Sequence, residues 1–257
     1  MKDGFEQIFI LGVRVDVVRL DELLAYISSI IRDEKKAVIA YVNVHAMNVA
    51  QDLRWFRDFI NRSQVAFCDG FGVKWAARFL TGKRIQRFTP PDWFGQLADI
   101  CARQGFSMFF LGTQQVTVEK AAANLQVTTP DLKIVGTHHG FFDKDSASSE
   151  NRYVLAMINK LKPDILVVGF GMPAQEKWIL ENLNELHVHA VIPVGAFFDY
   201  LADEVERAPR WMTENGLEWL GRLIIEPNRL WKRYVIGNPL FFWRIFVHHI
   251  LKFPLPN

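Results

Sequence analysis

Ile165-Leu166-Val167-Val168-Gly169-Phe170-Gly171-Met172-Pro173-Ala174-Gln175-Glu176 is the stretch whose reading decides the fold. Four apolar residues, three of them β-branched, predict a buried strand. Two glycines then break the run, and Pro173 suits the first turn of a helix. The same unit recurs on either side. Residues 108–111, 134–135, 165–168 and 190–194 read as strands, with Gly112, Gly136, Gly169 and Gly195 at their ends. Between them, residues 116–125, 151–161 and 174–186 carry helical period. Parallel strands need a crossover, so this alternation predicts a mostly parallel sheet with helices on both faces.

Upstream, residues 8–11, 38–42 and 65–68 read as further strands, and 20–32, 55–61, 73–80 and 92–103 as helices. The expected fold class is α/β and Rossmann-like. After Val194 only short helical pieces remain, punctuated by Pro209, Gly216, Pro227, Gly237 and Pro239. The sequence therefore predicts an α/β core over 1–206 and a C-terminal helical, membrane-associating appendage over 207–257. Residues 143–151 read as a polar loop, and no stretch reads as a long linker.

With 257 residues, 50% hydrophobic and 23% charged, the chain can bury a sizeable core, which excludes disordered, collagenous and repeat classes. Two cysteines, Cys68 and Cys101, are too few for a disulfide scaffold or a Cys-rich zinc site, so a reducing, cytoplasmic setting is expected. Met1-Lys2-Asp3-Gly4 does not open an apolar run of the signal-peptide kind. The net charge of +2 is unevenly placed. Residues 219–257 hold six cations, Arg222, Arg229, Lys232, Arg233, Arg244 and Lys252, against the single acid Glu226. The same stretch holds eight aromatics, from Trp219 to Phe253. Basic plus aromatic composition fits a segment lying on an anionic membrane surface. Arg244, His248 and His249 interrupt its apolar part, which is shorter than the roughly 20 residues a span needs. An amphipathic helix packed on its own core stays open, and no nucleic-acid partner is expected.

In open α/β sheets ligands bind past the carboxyl ends of strands. Four such places carry informative residues: Asn43-Val44-His45, Asp69-Gly70-Phe71-Gly72, the Gly169 to Glu176 segment, and Gly195-Ala196-Phe197-Phe198-Asp199. They are expected to gather along one sheet edge. Gly169 to Ala174 spells G-x-G-x-x-A, whose amides suit a diphosphate at a helix N-terminus. That diphosphate could belong to a dinucleotide or a nucleotide sugar. An NAD enzyme would carry an acid at the end of the next strand, where this chain has Val194-Gly195. Asp69 reads as a carboxylate protruding from a tight turn, or as an N-cap or Asx-turn before the helix at 73. Asn43 with His45 reads as a capping pair. Asp143-Lys144-Asp145 spells the Asp-x-Asp of metal-dependent sugar transferases, but in a hydrophilic loop that favours a solvated face. His138-His139 makes a poor chelate because adjacent side chains diverge in extended chain, and Cys68 has no identified partner for nucleophilic work.

Taken in order, several motifs resemble the WecG/TagA/CpsF family of bacterial glycosyltransferases over about residues 8–240. They are Asn43-Val44-His45, Cys68-Asp69-Gly70-Phe71-Gly72-Val73, Val135-Gly136-Thr137-His138-His139-Gly140-Phe141-Phe142, Gly169-Phe170-Gly171-Met172-Pro173-Ala174-Gln175-Glu176-Lys177-Trp178, Val194-Gly195-Ala196-Phe197-Phe198-Asp199, Arg207-Ala208-Pro209-Arg210-Trp211-Met212 and Gly216-Leu217-Glu218-Trp219-Leu220. The resemblance implies transfer of a sugar from a UDP-sugar to a sugar on undecaprenyl diphosphate at the inner face of the cytoplasmic membrane. It implies inversion at the anomeric carbon with neither metal nor other cofactor. Asp69 falls on the family's base. Asn43, Gln175 and Asp199 fall on its nucleotide-sugar pocket, with Gly169 and Gly171 at the diphosphate. Arg87 falls on a sugar or phosphate contact, and Arg222 and Arg229 on arginines that close over the site.

Two departures from the family pattern stand near the sugar pocket. Tyr41 replaces a frequent Thr, and Thr89-Pro90-Pro91-Asp92-Trp93 replaces Gly-Thr-Asp. They leave N-acetylmannosamine, N-acetylmannosaminuronate and glucose all open as the donor sugar. A homo-oligomer also stays open. The rival readings are an NAD-binding Rossmann oxidoreductase and a noncatalytic membrane adaptor.

Overall fold

The computed structural model describes residues 4–250, without the side chains of Arg210, Glu214 and Ile250. Met1 to Asp3, and the predicted tail residues Lys252 and Phe253, lie outside the described residues. Eight strands are present among the described residues: β1 (Glu6–Ile10), β2 (Val13–Val17), β3 (Ala37–Val42), β4 (Val65–Cys68), β5 (Ser107–Gly112), β6 (Lys133–His138), β7 (Ile165–Gly169) and β8 (Ala190–Pro193). Six form a sheet in the order β4-β3-β8-β7-β5-β6, and the β3·β8, β7·β8, β5·β7 and β5·β6 ladders are parallel. The α/β class expected from the sequence is therefore observed. Every residue of β3, β7 and β8 is buried, which is why these strands read as continuous apolar runs rather than alternating ones.

The chain forms two compact units. One comprises residues 20–40 and 89–205, and the other the stretches up to Arg19, 41–88 and from Glu206 onward. In the first, β5, β6, β7 and β8 alternate with the helices Gln115–Thr128, Ser149–Leu161 and Ala174–Asn182. The register sets Gly112 of β5 level with Gly169 of β7, so both strands end together. The polar loop predicted over 143–151 is shorter than expected: Ser148 accepts a hydrogen bond from the Glu150 amide as N-cap, and the helix begins at Ser149.

The second unit differs more from expectation. The apolar run at 8–11 is not a strand of the main sheet. It turns at Leu11 and Gly12, both with positive φ, into an antiparallel β1–β2 hairpin. Val13-Arg14-Val15-Asp16-Val17 alternates like a half-solvated strand, yet Arg14 and Asp16 are buried. Asp16 accepts the Ala66 amide at 2.7 Å and pairs with Arg14 at 3.2 Å, which satisfies charges the alternation would have placed in water. A helix unforeseen in the sequence, Val44–Asp52, follows β3.

The C-terminal stretch is helical from Arg210, in short pieces: Arg210–Glu214, Glu218–Ile225, Pro227–Trp231 and Gly237–Ile245, with π-helical turns Lys232–Ile236 and Phe246–Ile250. Leu230, Phe241 and Ile245 are buried. Arg244 ties the tail to the Val44–Asp52 helix through the Asn48 carbonyl at 3.1 Å and Asp52 at 2.8 Å. The tail thus packs part of its apolar surface inward, while Trp211, Trp231, Trp243 and Phe246 stay exposed. No helix among the described residues is long and apolar enough to cross a membrane.

Candidate active site

β4 ends at Cys68, and the chain turns at once through Asp69-Gly70-Phe71-Gly72 into the Phe71–Thr81 helix. The Asp69 amide is held by the Val42 carbonyl of β3 at 2.9 Å, which fixes where the turn begins. The glycines let the turn lie against the neighbouring segment: a Cβ on Gly70 would approach that of Asn43 to 3.2 Å, and one on Gly72 would collide with Val44. The N-cap of the Phe71–Thr81 helix is Gly70, without a side-chain cap bond, so Asp69 is not spent on capping that helix. Asn43 is. Its Oδ1 accepts the Ala46 amide at 3.0 Å as N-cap of the Val44–Asp52 helix, and its Nδ2 donates to Asp69 Oδ2 at 2.9 Å.

Asp69 is half-buried, and loss of solvation pushes its carboxyl pKa from 3.8 up to about 7. The Asn43 hydrogen bond opposes that rise, Glu218 reinforces it by like charge, and Arg87 and Arg233 oppose it. Glu218 is in turn held by Arg87 at 3.1 Å and lies 3.9 Å from Arg207. The Arg87 guanidinium sits 4.7 Å from the centre of the Phe71 ring. A carboxylate near neutrality in pKa has the proton affinity a general base needs at working pH. His45, expected to pair with Asn43 in the cap, instead feels desolvation and then Arg233, which together lower its pKa to about 4 and keep the imidazole neutral.

The other unit collects a second set of predicted residues. Gly169 ends β7, and a Cβ there would meet the Phe198 ring at 2.7 Å. Gly171 has φ +83, a conformation glycine adopts freely. Pro173 is the N-cap of the Ala174–Asn182 helix, one residue ahead of the first-turn place expected for it. Gln175 is fully buried. Its Oε1 accepts the Gly195 amide at 3.0 Å and its Nε2 donates to Glu176 at 2.7 Å, so it fastens the turn after β8 to the helix start after β7. Asp199, in the Phe197–Leu201 helix, accepts the Thr113 hydroxyl at 2.9 Å just past β5.

Asn43, Asp69 and Arg87 therefore come together in one unit, and Gly169, Gly171, Gln175 and Asp199 in the other. Arg222 and Arg229 both pair with Glu226, Arg222 at 3.7 Å and Arg229 through Nε at 2.8 Å. Sequence reading missed Glu218 and Arg233 as neighbours of Asp69. Glu218 stood inside a quoted motif and could have been found, whereas nothing local marks Arg233. Asp143 Oδ1 accepts the Asp145 amide at 3.1 Å and Asp145 Oδ1 the Ala147 amide at 2.8 Å, so both carboxylates cap their own loop. The His138 and His139 rings lie tilted by 32° with centres 4.3 Å apart. Burial raises both cysteine thiols to about 12, which makes them inert.

Fold and site together define an α/β protein with a carboxylate of raised pKa just past the end of a sheet strand. Residues 8–253 match the Glycosyl transferase WecG/TagA/CpsF family, and the chain belongs to that family of glycosyltransferases. It is 32% identical over 217 residues to the N-acetylglucosaminyldiphosphoundecaprenol N-acetyl-beta-D-mannosaminyltransferase of Bacillus subtilis (strain 168), covering 83% of this chain and 81% of that one. A Staphylococcus aureus (strain NCTC 8325 / PS 47) protein of the same name is 27% identical over 242 residues, covering 92% and 91%. The oxidoreductase reading is not favoured.

Proposed function

We propose that this glycosyltransferase moves a hexose from a UDP-sugar to a sugar carried on undecaprenyl diphosphate, with inversion and without a metal, at the inner face of the cytoplasmic membrane. The observation that carries the reading is the Asp69 carboxylate, raised in pKa and aimed by Asn43. The acceptor hydroxyl attacks the anomeric carbon and loses its proton to Asp69. The bond from that carbon to the diphosphate oxygen breaks, and UDP departs with the electron pair. A single displacement of this kind inverts the centre. Gly169 and Gly171 present backbone amides to the donor diphosphate, Gln175 and Asp199 hold the turns around the nucleotide sugar, and Arg87 contacts sugar or phosphate. Arg222 and Arg229 exchange Glu226 for the leaving diphosphate when the tail meets the membrane.

The names of the two relatives support N-acetylmannosamine as the first donor to try, with its uronic acid and glucose next. The two departures from the family pattern have local structural reasons. Tyr41 is buried with its ring 6.3 Å from that of Phe67. Thr89 and Asp92 form a capping box that starts the Pro90–Gln104 helix. The deciding experiment is a panel of UDP-sugars scored by UDP release with a polyprenyl-diphosphate-sugar acceptor, run in excess EDTA. Release with one sugar, undiminished by EDTA, is expected. Complete loss in EDTA that Mn²⁺ restores would return Asp143 and Asp145 to consideration as ligands, and release with no sugar would overturn the assignment.

A further inference from the structure

Between Asp69 and Asp92 the chain carries five cations, Lys74, Arg78, Lys83, Arg84 and Arg87, and no acid. Two are engaged by carboxylates, Lys83 by Glu6 at 2.7 Å and Arg87 by Glu218. The other three, with Arg19, line a pocket of about 510 Å³ whose walls include Val17 and Ile85 and which no carboxylate lines. Lys74 and Arg78 are four apart on the Phe71–Thr81 helix, so they form one row along it. Trp75 and Phe79 form the adjacent row. Both are 48% exposed, their rings stack at 5.0 Å, and they meet the tail through Phe242 at 5.2 Å and His249 at 5.6 Å. A basic, apolar-walled pocket beside a strip of exposed aromatics has the chemistry of a membrane-interface site: cations for a phosphate, rings for the headgroup boundary.

We infer that this pocket receives the phosphate headgroup of an anionic membrane lipid, so that the Phe71–Thr81 helix, and not the tail alone, rests on the bilayer. The inference deepens the membrane-surface part of the proposed function and rests on it. An aqueous phosphate ester would share the phosphate chemistry. The lipid is favoured because the aromatic strip, which meets the exposed ring of Phe242 in the tail, has no use for a fully hydrated ligand.

The test uses the full chain and vesicles of phosphatidylglycerol in phosphatidylcholine, with pure phosphatidylcholine as the control. The triple variant Lys74→Gln, Arg78→Gln, Arg84→Gln should lose on the order of 100-fold in partitioning at low salt, each cation near the surface being worth about 1 kcal/mol. Transfer to a short-chain soluble acceptor should be unchanged. In wild-type protein, Lys74 should be shielded from acylation by the anionic vesicles and not by glycerol phosphate in solution, a reading that does not depend on the variant folding. Wild-type partitioning by the triple variant would overturn the inference and leave docking to the tail. Equal shielding of Lys74 by glycerol phosphate would overturn the lipid assignment. Failure of the wild type to bind any vesicle would instead break the membrane-surface reading beneath it.

Discussion

The turn after β4 and the turn after β7 are both glycine-bearing strand-to-helix junctions, yet they are held by different forces. Asp69 stands among charges that do not cancel, with Glu218 against it and Arg87 and Arg233 for it, in surroundings that disfavour its ionised form. Around Gly169 the ties are mostly hydrogen bonds and steric closeness: the Gln175 amide on the Gly195 N–H, the Thr113 hydroxyl on Asp199, and the Phe198 ring where a side chain would have to go. The first arrangement stores free energy in a titratable group. The second fixes backbone amides in place. Substitutions should therefore act on proton transfer in one and on fold and donor affinity in the other.

The largest expected effect tests the first half of that contrast. Asp69→Asn should lower kcat by about 10²- to 10⁴-fold while leaving donor binding intact, because the amide fills the same space and cannot accept the proton. Near-normal turnover would remove Asp69 from the role of base. On the other side, Gly169→Ala should act through stability. The new methyl group must displace the Phe198 ring or the Gly195 carbonyl, at a cost of about 1–3 kcal/mol and a fall in Tm of roughly 3–10 °C. Unchanged melting would show that this turn is looser than its distances indicate.

Smaller effects sharpen the comparison. A general base acts only when ionised, so on the proposal that Asp69 is the base kcat/KM should fall below a pH near 7, where its carboxyl takes up a proton. Glu218→Gln should move that limb to lower pH, since Glu218 raises the pKa. Asn43→Ala should move it higher and also cost about 1 kcal/mol of stability through the lost helix cap. Matching substitutions at Thr113 should leave the limb where it is.

The last effect is on stability alone. With the folded pKa near 7 and the ordinary value at 3.8, the unfolded chain gives up this proton first, so Asp69 subtracts stability as pH rises from about 4 through 7. Asp69→Asn should thus raise Tm on the alkaline side of 7 and leave it unchanged near pH 4. An equal shift at both pH values would mean that ionisation is not the cause.

How much of this was legible follows from the range of the interactions. The strands at 108–111, 165–168 and 190–194 were readable because full burial writes itself locally as an apolar run. The hairpin was not, since the partners that let Arg14 and Asp16 be buried, the Asn61 and Ser63 carbonyls for Arg14 and the Ala66 amide for Asp16, lie some fifty residues away. The Val44–Asp52 helix escaped because its apolar period is weak and its cap, Asn43, reads equally well as a strand-end ligand. At the site, the Asp-Gly-Phe-Gly turn announced Asp69. Its pKa could not be read, because burial in the folded chain raises it first, and Glu218 and Arg233, which adjust it further, reach it from the far end of the chain.

Asn43 carries a consequence for how the enzyme can change. Its oxygen faces an N–H and its nitrogen faces a carboxylate, so a flipped amide would oppose donor to donor and acceptor to acceptor. Aspartate at this position would keep the cap and repel the Asp69 carboxylate, and alanine would lose both contacts. Serine keeps the cap with a hydroxyl too short to span to the carboxylate as well. A mutational search guided by stability alone and one guided by turnover alone would arrive at the same residue here, so drift at position 43 is blocked twice for one codon.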